Sequence, residues 1–511
     1  MPKSTPRRGR RVQPGEFEDV NHFYTKVLNA QVHPLVSFFL SLSNERIISR
    51  YTHLYPNVSR EALGTLLKTQ PNHFRWAGAD LFYATETNKG RSMIVIETNS
   101  CPSGQKSMPT PVDREDANGY RQLMQNTIKP VLESHKNLPE GVLCVVYDKN
   151  PVEASGYACA LSDCMNEPVY LVEFYNGDQD LPMDSDLLGF RINGRLFEVR
   201  TEDGKWLTVR AAFRYVTQKP WNRLPVDECD TLVFNPVVVC LAGGRNKLMA
   251  AKAYEMFNAM YCSSGLEIRT PETIRDVSLS DVPMWVKALG GVAVVKAPYS
   301  NAGQGVYTIT SEKELQDFMK IEQDYDQFIV QQLVGNSKWS STSRRGGQIY
   351  HVGTVPDNHN RIYCSDVRMM VQFDYTAKQF RPLAMYSRRA AQPLADSLEG
   401  CKFSSWDMLG TNLSIKKSDG TWDSDTNRLL IMDRKEFSRM GIGIDDLIDG
   451  YIQTVMATMA IDILSTRLAP SPCTFDLALF QSMNHDPSLI SEFMLMSAKD
   501  KTEEERKEEE K

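Results

Sequence analysis

The sequence predicts an α/β fold with α+β subdomains, and three observations predict it. Strand-like runs such as Val142-Leu143-Cys144-Val145-Val146-Tyr147, Val169-Tyr170-Leu171-Val172-Glu173-Phe174 and Leu232 to Leu241 alternate with helical stretches between about residues 115 and 290, the rhythm of an α/β layer. A strand, loop, helix, strand block runs from Gly291 to Gln332. Ahead of both, Trp76 to Pro102 reads as a β-hairpin carrying acids. With 511 residues, 41% hydrophobic and 24% charged, the chain has material for a sizeable core and a length that suggests about two to four structural units.

In chain order, the basic residues 1 to 15, with Arg7, Arg8, Arg10 and Arg11 and no apolar stretch behind them, read as a disordered arm and not as a secretory leader. Residues 16 to 75 read as a helical leading segment, with Val36, Phe39, Leu40, Ile47 and Ile48 near helical spacing and Ser59 before Glu61 and Ala62 as a helix start. Residues 76 to 130 hold the hairpin, with a polar turn at Thr85-Glu86-Thr87-Asn88-Lys89-Gly90 and the β-branched run Met93-Ile94-Val95-Ile96. Residues 131 to 285 form the α/β middle. Residues 286 to 485 follow, with helices expected at about Ser311 to Lys320 and Ile444 to Leu464. The mixed charge run that ends residues 486 to 511 reads as a tail that buries nothing.

Composition excludes several classes. A net charge of -6 gives no global attraction for nucleic acid. Ten cysteines without a Cys-x-x-Cys pair or zinc spacing point to a reduced, cytoplasmic protein without disulfides or structural zinc. No apolar run approaches the roughly 18 to 20 residues of a membrane span, Thr231 to Cys240 being interrupted by Asn235 and Pro236. Homo-oligomerisation stays open.

Four segments carry candidate chemistry. Lys296 closes the strand-like Val292 to Val295 and precedes Ser300-Asn301-Ala302-Gly303-Gln304-Gly305; a cation beside a small-residue loop offers charge and close backbone amides to a polyphosphate. Taken alone, an edge-strand lysine before a surface turn is an equally good account. Gly243-Gly244-Arg245-Asn246-Lys247 opens a helix and would deliver a second cation, although such a turn is more often just a helix start. The run Gln327 to Val334 reads as a strand ending in Gln331 and Gln332, able to pair its backbone with a base edge or to serve as an ordinary core strand. Most specific is Ile94-Val95-Ile96-Glu97-Thr98-Asn99. Glu97 and Asn99, two apart on a strand, project to one face, and pairing of the hairpin would bring Asp80 beside them. Two carboxylates and an amide oxygen form a hard oxygen set suited to Mg2+, or to Mn2+ in its place; a solvated hairpin with surface acids is the plain alternative.

The segment from Ala77-Gly78-Ala79-Asp80-Leu81-Phe82 to Ile96-Glu97-Thr98-Asn99-Ser100-Cys101-Pro102-Ser103-Gly104 resembles the metal-binding module of ATP-grasp ligases, which usually comes last in the chain. Here Lys296, Gln331-Gln332 and Asp366-Val367-Arg368 all follow it, so the chain resembles the circularly permuted ATP-grasp proteins, with a pre-ATP-grasp-like middle. Gly410-Thr411-Asn412-Leu413 resembles a metal-side strand of glutamate-ligase-type members. Asp476, in Thr474-Phe475-Asp476-Leu477, has no Glu-x-Asn strand after it, and its own strand reads as structural.

The resemblance implies ATP and Mg2+, a carboxylate phosphorylated to an acyl phosphate, and attack by an amine to give an amide, ADP and phosphate. It implies metal ligation by Asp80, Glu97 and Asn99. Nucleotide contacts would come from Lys247, Lys296, Ser300, Gly303, Gln304, Gly305, Gln331, Gln332 and Val334. Arg368 and Lys296 would act at the reacting groups, and the Ser300 to Gly305 loop would close over them. The partners are then small carboxylate and amine substrates, amino-acid or peptide-like. Arg214, Lys219, Arg344 and Arg345 are candidate acceptor-side residues, each also readable as surface charge. Two other classes compete: a nucleotide sensor or scaffold without turnover, and a kinase, for which Lys296 stands without His-Arg-Asp, Asp-Phe-Gly or a preceding glycine-rich loop.

Overall fold

The structure is a computed structural model that describes residues 6–86, 90–109, 119–174, 178, 181–215, 219–226, 229–300, 303, 305–344, 346–352, 354–416, 422–471 and 474–492. It is a mixed α/β architecture in which three sheets carry the candidate site.

In the first sheet Val142–Tyr147 lies between Val169–Glu173 and Trp206–Tyr215, parallel to both. The helix Pro151–Met165 makes the crossover to Val169–Glu173. On the far edge of Trp206–Tyr215 run Leu196–Arg200, antiparallel, and Leu232–Phe234, parallel. Its apolar side chains, among them Val145, Leu171 and Phe213, are buried, as strands covered by helices require. The edge of Val169–Glu173 is covered by Arg10–Val12, antiparallel. This corrects the expectation of a disordered arm from residue 6 onward: Arg7 is buried and its Nη1 donates to Asp178 Oδ2 at 2.9 Å. An exposed sheet edge is a strong template for a short strand, and basic composition does not prevent pairing.

The second sheet is antiparallel, in the order Thr273–Ser278, Gln327–Gln332, Ala293–Lys296, Val306–Ile309. It has its own core, including Val295, Phe318 and Phe328. The expected helix lies between its strands Val306–Ile309 and Gln327–Gln332, spanning Glu312–Met319, and Ser311 caps it by accepting from Glu314 N at 3.2 Å.

The third sheet holds the hairpin. Trp76–Glu86 pairs with Arg91–Asn99 on one edge and with Ile362–Asp374 and Ile349–His351 on the other, all antiparallel. Gln379–Arg389 then pairs with Ile362–Asp374. The leading segment supplies helices Pro34–Ser41, Asn44–Leu54 and Arg60–Lys68, the last capped by Ser59, which accepts from Ala62 N.

Behind the third sheet runs helix Ile444–Leu468. It corrects the expectation that no segment is long and apolar enough to span a membrane: it meets that test by length and composition, yet 94% of its most apolar stretch is buried inside the protein. Its two buried acids bind backbone, Asp449 Oδ2 accepting from Met93 N at 2.8 Å and Asp462 Oδ1 from His73 N and Phe74 N at 2.7 and 2.8 Å. Both contacts fix the ends of the acid-bearing hairpin to the core.

Two expectations near the C-terminus are also corrected. Asp476 is no strand residue but the N-cap of helix Leu477–Met483, accepting from Leu479 N at 2.8 Å. Residues 486–492, expected within a tail, are tied in, Glu492 accepting from Lys219 and from Trp221 Nε1.

Candidate functional site

The acid-bearing strands meet as hairpin pairing requires, with Asp80 opposite Glu97 and Gly78 opposite Asn99. One residue is extra: Leu81 pairs with Val95, so Ile96 forms a bulge. Such a bulge re-aims its neighbours, and the Ile96 carbonyl accepts from Lys296 Nζ at 3.3 Å. The strand continues into Ser100, whose N–H donates to Gly244 O at 3.0 Å. A Cβ on Gly244 would stand 2.6 Å from Ser100 Cβ, so the glycine turn is required for this approach. Beyond it, the turn Ser103 to Gln105 is held by one fully buried carboxylate. Glu153 Oε1 accepts from Gly104 N and Gln105 N at 2.7 and 2.8 Å, and Oε2 from Ser103 Oγ and Tyr215 OH at 2.7 and 2.9 Å.

Two lysines face Glu97. Asn246 caps helix Lys247–Tyr261 by accepting from Met249 N at 3.0 Å, which places Lys247 at the helix start. Lys247 Nζ lies 3.5 Å from Glu97 Oε1 and donates to Ser300 O and Oγ at 2.9 and 3.1 Å. Lys296 ends its strand and is 6% exposed. Burial pushes its pKa down to about 8 against the raising charge of Glu97, with Lys247 adding to the fall. In the loop between, Gly305 O accepts from Ala297 N at 2.7 Å, and Gly303 lines the cleft beside Trp406 and Asn412. Gln304 lies outside the described residues.

Asp80 has a different environment from the one expected of a metal ligand. Its two oxygens accept from Arg368, Nε to Oδ1 at 2.5 Å and Nη2 to Oδ2 at 2.7 Å, and Arg388 Nη2 stands 2.9 Å from Oδ2. Arg388 also pairs with Asp366, which in turn accepts from Thr411 Oγ1 at 2.7 Å. Burial works to raise the Asp80 carboxyl, and the charges of Arg368 and then Arg388 overcome it, holding it far below the usual carboxylate range. Arg368 is therefore already paired, with Nη1 donating to Ser103 O at 3.1 Å.

At the other end the wall turns apolar. Phe82, Ile96, Leu333 and Val334 line it together with His351. Gln331 Nε2 donates to Thr273 Oγ1 at 2.8 Å and Gln332 Nε2 to Ser341 O at 3.2 Å, so both side chains brace the strand end. Leu333 N–H donates to Ser341 Oγ at 2.8 Å, and Leu333 O accepts from Ser340 Oγ at 2.8 Å. His351 is 6% exposed, packs edge-on to Phe82 at 4.5 Å, and neither ring nitrogen has a hydrogen-bond partner among the described residues. Burial pushes its pKa down to about 4.

One cleft of about 950 Å3 is lined by Asp80, Glu97, Asn99, Lys247, Lys296, Gly303, Gln331, Gln332, Val334 and Arg368. Ser300 stands behind it, on Lys247. The candidate acceptor residues are elsewhere or engaged: Arg214 is buried with Nε on Asn235 O at 2.9 Å, Lys219 is paired with Glu492, and Arg344 with Glu272. Arg345 lies outside the described residues. Thr411, Asn412 and Leu413 line the cleft as a loop, not a strand, following helix Ser405–Leu409. Sequence reasoning missed Arg388, Asp366, Glu153, Lys149, Arg245 and His351. For Asp366 a signal existed, since it shares a strand face with Arg368 two residues on; the others depend on long-range pairing.

The donors fit a hard cation at Glu97 and Asn99. Asn99 is 6% exposed; among the described residues its Nδ2 has no hydrogen-bond partner, and its Oδ1 accepts from Arg245 Nη1 at 3.4 Å. Asp80 adds an oxygen only by giving up an arginine.

No protein-family model matches the chain, and no curated protein matches it. Among solved structures it is similar to a glutathione synthetase-like effector from Globodera pallida in apo form, at 8% identity and a TM-score of 0.37 over 70% of this chain and 86% of that one. It is also similar to a RimK domain ATP-grasp protein from Sphaerobacter thermophilus, at 13% identity and a TM-score of 0.27 over 47% of this chain and 90% of that one. Overlaps this loose carry no conclusion about the chain, whose own residues have to supply it.

Proposed function

We propose that this protein is an ATP- and Mg2+-dependent ligase of circularly permuted ATP-grasp type that joins a carboxylate to an amine, releasing ADP and phosphate. One observation carries the reading: hard oxygen donors, two lysines, an apolar slot and an arginine pair, drawn from segments as far apart as Asp80 and Arg388, line a single cleft. Its volume suits a nucleotide with part of a second substrate.

The slot of Phe82, Ile96, Leu333 and Val334 would take the planar base. Lys247 and Lys296 would neutralise the phosphates. Glu97 and Asn99 would hold Mg2+, which when bound withdraws charge from phosphate oxygens. A carboxylate oxygen of the first substrate bonds to the terminal phosphorus and ADP leaves. The amine nitrogen then bonds to the acyl carbon, loses a proton, and phosphate leaves. Arg368 and Arg388 would stabilise the charge that gathers on the acyl phosphate. No side-chain nucleophile is needed, and burial of the cationic wall limits water.

A second reading, nucleotide binding without turnover, is favoured by the full engagement of Asp80 by Arg368 and Arg388. Incubation with MgATP and pooled carboxylic acids and amines separates the two, followed by ADP and new masses in mass spectrometry. ADP release that requires both an acid and an amine supports ligation. Stoichiometric nucleotide binding with no ADP supports the second reading.

A further inference from the structure

Lys247 and Lys296 line one cleft but come from separate segments, and the charge of Lys247 acts against that of Lys296. Two ammonium groups brought close repel one another, so the backbone beneath them has to be pinned if both are to reach one polyphosphate. Part of the pin lies between the two lysines. Asn246 and Tyr299 form an antiparallel bridge, and Lys247 N donates to Pro298 O at 3.0 Å. The chain that follows Lys296 is thereby stitched to the start of helix Lys247–Tyr261.

The Tyr299 hydroxyl sits at this joint. It accepts from Asn246 Nδ2 at 3.0 Å, and also from Nδ2 of Asn484, 185 residues further along the chain. Asn246 turns its Oδ1 to Met249 N, so one side chain both caps the helix and holds the tyrosine. Tyr299, Asn246 and Asn484 are 5%, 0% and 1% exposed. Buried donors of this kind are costly to leave unpaired, and burial pushes the Tyr299 hydroxyl well above its usual range, which keeps it neutral.

Asn484 is itself fixed. Its Oδ1 accepts from Asp486 N at 3.1 Å, and Asp486 accepts from Leu489 N at 3.1 Å and from Gln327 N at 3.2 Å, at the start of the strand that ends in Gln332. Glu492 accepts from Trp221 Nε1 and Tyr325 OH, both at 3.1 Å, and the rings of Trp221 and Tyr325 pack edge-on to Tyr299 at 5.4 and 4.9 Å. The Lys247 helix meets the same segment through Lys252 Nζ, which donates to Met483 O. Tyr299 and Asn484 are not among the residues that line the cleft; they stand behind it.

We propose that Tyr299 and Asn484 are positioning residues for polyphosphate binding, which hold Lys247 and the Pro298 to Ser300 backbone so that both lysines converge on one phosphate chain. The segment from Asn484 to Glu492 thus belongs to the nucleotide site without touching the nucleotide. This rests on the ligase reading of the same cleft, in which the lysines neutralise the phosphates.

The test is displacement of a fluorescent nucleotide by MgATP, MgADP and AMP from the full chain, as wild type, Tyr299→Phe and Tyr325→Phe. Both variants keep the ring and lose one hydroxyl of the same aromatic cluster, but of the two hydroxyls it is that of Tyr299 that bonds to Asn246. In Tyr299→Phe MgATP affinity falls about tenfold, the loss shrinks from ATP to AMP, and Tyr325→Phe binds all three as the wild type does. Asn484→Ala, which keeps the tyrosine, gives the same graded loss and carries the test if Tyr299→Phe does not fold. Unchanged MgATP affinity, an equal loss for ATP and AMP, or the same graded loss in Tyr325→Phe overturns the positioning role and leaves the ligase reading standing. A wild type that binds no nucleotide overturns the ligase reading, and the positioning role falls with it.

Discussion

Arg368 closes two hydrogen bonds on a single carboxylate, with Nε on Asp80 Oδ1 and Nη2 on Asp80 Oδ2. All four members of the network, Asp80, Arg368, Arg388 and Asp366, are buried. Removing one charge would strand the opposite ones away from water. Asp80→Asn is therefore expected to destabilise the fold by about 3–5 kcal/mol, read as a lowered midpoint in urea at unchanged slope.

Glu153 is the anchor of the turn after Asn99. In Glu153→Gln an amide NH2 must face one pair of donors, Gly104 N and Gln105 N or Ser103 Oγ and Tyr215 OH. The expected cost is about 2–3 kcal/mol, and hydrogen exchange at the Gly104 and Gln105 amides accelerates before exchange in the core helix Ile444–Leu468 does.

Lys296 is a buried cation whose pKa falls to about 8 because burial disfavours its charge. Lys296→Met removes that cost and is expected to leave the thermal midpoint equal or higher. The same change weakens nucleotide binding by about tenfold or more, measured by displacement of a fluorescent nucleotide.

His351 supplies a pH dependence of stability. Its folded pKa is pushed from 6.5 to about 4, so between those values the unfolded chain takes up a proton that the folded chain refuses. Its contribution is complete above pH 6.5 and is lost as pH falls toward 4, about 3 kcal/mol in all. His351→Leu should flatten the stability profile by that amount over this window; an unchanged profile would show that the imidazole is not buried neutral.

The hairpin was legible because its cues are local. Two polar residues two apart on a β-branched strand, with an acid on the strand before, suffice to predict that pairing brings Asp80 beside Glu97 and Asn99; the register, with its bulge at Ile96, is not among those cues. The helix start at Ser59 and the helix from about Ser311 were legible for the same reason. What could not be read depends on distant partners. The sequence around Asp80 does not reveal that Arg388, over 300 residues on, shares its carboxylate, and nothing near Glu153 marks it as the anchor of Gly104. Arg214 and Lys219 were offered as substrate contacts on charge alone, and tertiary packing absorbed both. The arm near Arg10 and the residues up to Glu492 were misread because composition reports solubility, while an open sheet edge and Lys219 supplied partners.

Glu97 tests the account most directly, because it is only half-buried and its nearest partner, Lys247, stands 3.5 Å away, so that substitution spares the fold. ATP is titrated calorimetrically into the wild type and Glu97→Gln, with and without Mg2+. The account predicts that Mg2+ tightens binding in the wild type, that Glu97→Gln loses this gain at an unchanged thermal midpoint, and that ADP release stops with it. Equal Mg2+-dependent binding and full ADP release in Glu97→Gln would contradict it.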